Sequence, residues 1–320
     1  MQRIKRSVAV VGSTASGKSA LAIEAARHFG GEIISVDSMQ IYRGMDIGTA
    51  KPSKSELATV RHHMIDVCSP HAAMSSADFA ALALEAAEDI EARGALPIFC
   101  GGTGLYLDAI MRGDAPKETE ADENLRASLM EFANANGAHA LHERLREVDP
   151  ESAENIHENN VKRVARALEI YLVSGKTKTE WDKESKTQKK AVSPFCVGLC
   201  YHDRATLYSR IDRRVDQMIE CGLIEETKRL LDEGVFESNM TAAAAIGYKE
   251  LLPYIRGEAT LFDAAEELKR ATRRYAKRQI TWFSAKDYVK PLWCDTEDGT
   301  PLSSSEIFCE FCKMMKENGF

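Results

Sequence analysis

The stretch Gly12-Ser13-Thr14-Ala15-Ser16-Gly17-Lys18-Ser19 follows a short apolar run, Ser7 to Val11, and opens an Ala/Leu-rich helical pattern. Strand, glycine-bracketed loop and helix in that order form a phosphate cradle. The backbone N–H groups of the loop and the helix N-terminus point at one spot, Lys18 adds a mobile positive charge, and Ser19 offers a hydroxyl to a magnesium ion. An ordinary strand-to-helix turn needs neither both glycines at this spacing nor the Lys-Ser pair. The chain is built to hold a polyphosphate.

The cradle sits in an alternating pattern. Val8–Val11, Ile33–Val36, Met64–Val67 and Leu96–Cys100 read as buried strands, separated by helix-spaced apolar residues such as Leu21, Ala22, Ala25, Ala26 and Phe29. That pattern predicts a parallel α/β sheet flanked by helices. From 115 to 193 the chain turns charged and helix-forming, opening after Gly113-Asp114-Ala115-Pro116 and closing in the polar stretch Gly175 to Lys190. This reads as a helical insertion domain within a core made of 1–114 and 194–320. Pro194 to Tyr201 returns as a strand, Arg204 to Phe283 is mostly helical, and Pro291–Cys294 is a last strand-like piece before a terminal helix.

A length of 320 residues with 44% hydrophobic content suits a folded, enzyme-sized protein. No apolar stretch approaches the roughly 18 residues of a membrane span, and no cleavage pattern follows the basic start, so no membrane and a cytoplasmic location are expected. Eight scattered cysteines, mostly in apolar segments, fit reduced thiols. Cys309 and Cys312 lack a second close pair, which speaks against zinc.

Three constellations lie beyond the cradle. The second strand ends in Asp37-Ser38-Met39-Gln40. An acid at that place holds magnesium in many nucleotide hydrolases, or merely caps the strand. A carboxylate beside a Gln that both donates and accepts also suits an exocyclic amine and ring edge of adenine. Gly101-Gly102-Thr103-Gly104-Leu105-Tyr106 follows the fourth strand, where glycines let backbone approach a ligand and Thr103 offers a hydroxyl, or simply form a tight turn.

The third is Lys269-Arg270-Ala271-Thr272-Arg273-Arg274-Tyr275-Ala276-Lys277-Arg278, in which no acid appears. Lys269, Arg273 and Lys277 form one helical stripe and Arg270, Arg274 and Arg278 another. Solvated faces normally mix signs, so in a chain of net charge −7 this face is a candidate phosphate-backbone binder. Lys162, Arg163 and Arg166, and Arg210, Arg213 and Arg214, form smaller clusters that ion pairing with Glu169 and Asp212 would also explain.

Together the cradle, Asp37 to Pro52, His62 to Asp66, Gly101 to Tyr106, Arg163 to Glu169, Ile246 to Glu250 and Lys277 to Trp282 resemble the tRNA dimethylallyltransferases, the bacterial tRNA isopentenyltransferase (IPP transferase) family, over nearly the whole chain. The resemblance implies a P-loop kinase-like fold and transfer of a dimethylallyl group from dimethylallyl diphosphate to N6 of adenine 37 in tRNAs reading UNN codons. It implies that residues 12–19 hold the diphosphate with Mg2+ at Ser19, that Lys18, Thr103, Arg210 and Arg214 stabilise the leaving charge, and that Asp37 takes the amine proton.

It further implies tRNA contacts at Asp37, Ser38, Met39, Gln40 and Thr103, and at Arg126, Lys162, Arg163, Val164, Ala165 and Arg166 in an insertion that meets the anticodon loop. Further contacts are implied at Ala245, Ile246, Gly247, Tyr248, Lys249 and Glu250, and at Arg270, Arg274, Lys277 and Arg278. The expected partners are tRNA and dimethylallyl diphosphate, with the chain a monomer. The rival readings are an ATP-using small-molecule kinase and an adenylate isopentenyltransferase acting on free nucleotide. The insertion and the basic helix favour tRNA.

Overall fold

A computed structural model describes residues 4–113, 122–187 and 190–320. The start of the expected insertion at 114–116 and positions 188–189 of its polar close lie outside the described residues. The chain divides into two compact units, residues 1–113 with 191–320, and residues 114–190.

The first unit is organised by a six-stranded sheet: β1 (Val8–Gly12), β2 (Gly31–Val36), β3 (His62–His63), β4 (Leu96–Gly101), β5 (Phe195–Cys200) and β6 (Val289–Trp293), in the order β3-β2-β4-β1-β5-β6. Every pairing is parallel. β1 is buried along its whole length, as a central parallel strand covered on both faces must be, which is why it reads as a continuous apolar run. Its side chains alternate between two cores. Ala9 and Val11 join Phe79, Phe99 and Ile110, while Val8 and Val10 join Leu21, Ala25 and Phe311.

The expected strand at Met64–Val67 is replaced by the two-residue β3 just before it. Met64 and Asp66 take positive φ angles of 62° and 56°, a left-handed backbone that no strand accepts. The segment after Ser284, which carries no recognisable motif, supplies β6 and the helix Ser304–Glu317, whose Phe311 and Met315 close the second core.

Pairing register sets the site. Val11 lies opposite Gly101, and Gly101 opposite Val36. The residues that follow, Gly12, Asp37 and Gly102, therefore leave the carboxyl edge of the sheet side by side, where open parallel sheets bind ligands.

The second unit is helical: Glu123–Asn136, Ala138–Val148, Pro150–Asn155, Val161–Ser174 and Lys178–Thr187. Leu129, Leu141, Leu145, Val164 and Leu168 form its core. Glu169 is fully buried there and accepts a fork of hydrogen bonds from Arg126, through Nε at 3.0 Å and Nη2 at 3.1 Å, with Arg166 at 3.0 Å. Lys162 and Arg163 are exposed at the start of Val161–Ser174. Val164 and Ala165 have no exposed surface, so these two side chains build the core and present no face to RNA, contrary to the expectation above.

Candidate active site

The phosphate loop carries the backbone its sequence demands. Gly12 and Gly17 have φ of 149° and 99°, and Ala15 is also left-handed at 60°. A Cβ on Gly12 would stand 3.0 Å from Ser16 Oγ and 3.2 Å from the Leu199 carbonyl, so crowding adds to the backbone preference for glycine. The helix Lys18–Phe29 starts at Gly17 without any side-chain cap, which leaves its first N–H groups free to meet an anion.

Bonds from other elements and from the loop's own lysine brace the loop. Arg210 Nε donates to the Ala15 carbonyl at 2.9 Å, the Tyr201 hydroxyl donates to the Ser16 carbonyl at 3.0 Å, and Lys18 Nζ donates to the Ser13 carbonyl at 3.1 Å. Gln279, buried on the long helix Leu261–Ser284, accepts from Thr14 N at 2.8 Å and donates to the Gly102 carbonyl at 2.9 Å. A Cβ on Gly102 would overlap that amide, one on Gly104 would overlap the Trp282 indole, and one on Gly101 would overlap Val36. The Gly-Gly-Thr-Gly turn is thus glycine-rich because neighbouring strand and helix press onto it.

Asp37 turns the chain at the end of β2. Its Oδ1 accepts from Met39 N at 2.9 Å and Gln40 N at 3.3 Å, while Thr103 Oγ1 accepts from Ser38 N at 3.2 Å. Gln40 lines a cavity here, but its side-chain amide is taken up by the protein. Its oxygen accepts from Ser35 Oγ at 2.8 Å and its nitrogen donates to the Thr49 and Ala50 carbonyls at 3.2 Å each.

One cavity of about 310 Å³ collects these parts. Thr14, Lys18, Ser19, Asp37 and Arg214 line it beside apolar walls from Ile211, Val215, Met218, Leu268 and Ile246, with Tyr275 and Arg278 also reaching it. Desolvation lowers the Lys18 pKa; Cys100 and Asp37 oppose that and Arg214 reinforces it. Desolvation also lowers the pKa of Arg214, against the pull of the Asp37 carboxylate. Burial pushes the Cys100 thiol up to about 11 and the Tyr275 phenol up to about 12, so both are neutral at physiological pH.

The basic helix is better balanced than its sequence implies. Lys269 pairs with Asp216 at 2.8 Å and Glu266 at 3.2 Å, and Arg273 pairs with Asp212. Arg270 and Arg274 share Glu267, at 2.7 and 3.6 Å. Arg270, Arg274, Lys277 and Arg278 keep exposed faces.

Two of the residues expected at RNA face inward. Tyr248 has no exposed surface and donates to Glu226, and Glu250 is buried with its carboxylate accepting from Gly247 N at 3.0 Å. Neither side chain lines the cavity, unlike Ala245, Ile246, Gly247 and Lys249, so both serve its framework.

Ser19 is exposed on the first helical turn, and Asp37 lines the same cavity. Hydroxyl and carboxylate are hard oxygen donors of the kind magnesium takes. Among the described residues no group of three or more His, Cys, Asp or Glu side chains could hold a metal, so an ion here would depend on phosphate oxygens and water for its remaining ligands. The donor set fits magnesium held together with a phosphorylated substrate.

A glycine-bracketed loop on a parallel sheet and a carboxylate lining one apolar-walled cavity define an α/β protein of the phosphate-loop type. The family model described as IPP transferase matches residues 40–286. A tRNA dimethylallyltransferase of Thermoanaerobacter sp. is 45% identical over 289 residues, 90% of this chain and 91% of the relative. The solved tRNA isopentenylpyrophosphate transferase of Bacillus halodurans superposes with a TM-score of 0.71 at 41% identity, covering 98% and 96% of the two chains. A eukaryotic dimethylallyltransferase acting on tRNA superposes with a TM-score of 0.79 at 31% identity, covering 98% of this chain and 79% of the other. The chain belongs to the IPP transferase family.

Proposed function

We propose that the chain is a tRNA dimethylallyltransferase, moving the dimethylallyl group of dimethylallyl diphosphate to N6 of adenine 37 in tRNAs that read UNN codons. The observation that carries this reading is the single cavity that joins a phosphate loop, an apolar wall and a carboxylate. An apolar wall beside the phosphate loop suits a five-carbon allylic chain, and the family match favours that chain over a phosphoryl acceptor. The names of the relatives support the same reaction.

The exocyclic amine of adenine is a weak nucleophile, because its lone pair is delocalised into the ring. Breaking of the allylic C–O bond therefore leads, and negative charge grows on the departing diphosphate as the new C–N6 bond forms. Lys18, Arg214 and the loop N–H groups other than those of Thr14 and Ser16, which Gln279 and the Ser13 carbonyl take, stabilise that charge, an effect worth roughly 3 kcal/mol for a well-placed donor. Arg210 and Thr103 act beside them, Arg210 by holding the loop through the Ala15 carbonyl. Asp37 orients the amine and receives its proton. A magnesium ion at Ser19, where bound, would offset part of the diphosphate charge.

The target base must leave the anticodon-loop stack to enter the cavity. Ser38, Met39, Ala245, Ile246, Gly247 and Lys249 are proposed around the entering nucleotide, and Arg270, Arg274, Lys277 and Arg278 on the phosphate backbone. Arg126, Lys162, Arg163 and Arg166 of the helical unit take the anticodon stem-loop. Among the described residues no helix is long and apolar enough to cross a membrane, and we propose a cytoplasmic monomer as the working form.

Incubation with dimethylallyl diphosphate, Mg2+ and unmodified tRNA, followed by nucleoside mass analysis, tests the reading. A dimethylallyl mass gain on adenosine is expected. Phosphoryl transfer from ATP without prenyl transfer, or free AMP serving as well as an anticodon stem-loop, would overturn it.

A further inference from the structure

Glu226 lies on the helix Leu223–Asp232 and is buried with only 8% of its surface exposed. Its carboxylate collects four donors from two distant segments. Asp46 N, Ile47 N and Gly48 N each approach at 3.0 Å, and the Tyr248 hydroxyl approaches at 2.8 Å. Arg229, three residues on, is directed to Glu233 and the Gly44 carbonyl, so the backbone and the phenol carry the solvation of this anion. Desolvation and the adjacent carboxylate drive the Tyr248 pKa far upward, which keeps the phenol a donor at every physiological pH.

The two segments so joined are two walls of the cavity. Gly48, Thr49, Ala50 and Pro52 line it from one side, and Ala245, Ile246, Gly247 and Lys249 from another. The packing between them is close: a Cβ on Gly48 would stand 2.5 Å from the Tyr248 ring, and one on Gly247 would stand 3.2 Å from the Gly48 carbonyl. From the 48–50 wall a short relay reaches the reacting carboxylate. Gln40 Nε2 donates to the Thr49 and Ala50 carbonyls, and Gln40 N donates to Asp37 Oδ1 at 3.3 Å.

We propose that Glu226 is a positioning residue for the acceptor: through Tyr248, the 46–50 segment and Gln40, it fixes the wall against which the incoming base and Asp37 are aligned. The proposal rests on the transferase reading above. It touches neither the phosphate loop nor its braces, so acceptor and diphosphate sites should respond to it separately.

A buried carboxylate holding backbone N–H groups is replaced poorly by an amide, whose NH2 would face those same donors. In Glu226→Gln the KM for anticodon stem-loop RNA should rise and kcat fall, together lowering kcat/KM by about 30-fold, while the Kd for inorganic pyrophosphate stays within about twofold. Glu226→Asp, which keeps the charge and both acceptors, should recover a substantial part of that loss. Tyr248→Phe removes one of the four donors and should cost several-fold in the same direction.

Gly48→Ala, which reaches the same wall by steric pressure, serves if Glu226→Gln does not fold. An unchanged RNA kcat/KM, or a pyrophosphate affinity that falls in step with it, would overturn the proposal. A wild-type protein that binds pyrophosphate but transfers nothing to RNA would instead refute the transferase reading itself.

Discussion

Gln279 and Thr14 are 265 residues apart in sequence, and the Thr14 N–H donates to the Gln279 side-chain oxygen at 2.8 Å. The other end of the same amide donates to the Gly102 carbonyl. Only one orientation of the amide satisfies both partners, so the phosphate loop and the glycine turn are held at fixed separation by the helix that carries the exposed cations.

Replacing Gln279 by Leu should therefore leave a part-buried N–H and a buried carbonyl unpaired. The expected cost is about 1–3 kcal/mol of unfolding free energy, with weaker pyrophosphate binding because the loop loses a brace. Urea unfolding with and without pyrophosphate measures both. An unchanged midpoint would show that water replaces the amide without loss.

The sheet, the cradle and the helical character of 123–187 are legible in the sequence because each rests on a local pattern: apolar runs for β1 and β4, glycine spacing for residues 12–17, charged helix-formers in the second unit. What escapes it is set by distant contacts. Gln40 reads as a base-gripping amide until Thr49 and Ala50 are seen to take its donors. The resemblance puts Tyr248 at RNA, but Glu226, 22 residues earlier, takes its hydroxyl in the interior. Gln279 lies inside the Lys277 to Trp282 motif, whose exposed cations draw attention from it. Acid-free composition over 269–278 does not mean unpaired charge, since Asp212, Asp216, Glu266 and Glu267 approach from elsewhere.

Asp37→Ala should abolish transfer while sparing affinity for tRNA. Loss of a general base typically costs about 10²–10⁴-fold in rate. Single-turnover transfer and filter binding on the same preparation separate the two effects, and retained turnover would assign the proton to another group.

Because Glu267 holds both Arg270 and Arg274, the two arginines are partly neutralised before any RNA arrives. Glu267→Gln should tighten RNA binding at low salt, and neutralising Arg270 and Arg274 together should lower the slope of log K against log salt by about two. An RNA titration series across salt concentrations reads both. A slope unaffected by the double variant would return this face to ordinary solvation.

The depressed Lys18 pKa has opposite consequences for stability and for binding. Desolvation lowers it in the folded chain, so between that value and the ordinary 10.5 the unfolded chain holds more protons. The free protein should consequently gain stability from Lys18 as pH rises through this window, reversing the loss suffered when a charged ammonium is desolvated at lower pH. Affinity for a diphosphate should move the other way, because the deprotonated amine no longer attracts it. Pyrophosphate titrates in the same range, and comparison with Lys18→Arg removes its contribution, as both proteins meet the same ligand. Wild type should lose affinity relative to the arginine variant as pH climbs through that window below 10.5, with proton uptake on binding detectable by calorimetry in buffers of different ionisation enthalpy. Parallel pH profiles for the two proteins would mean that the lysine stays charged throughout and that desolvation is offset by Asp37.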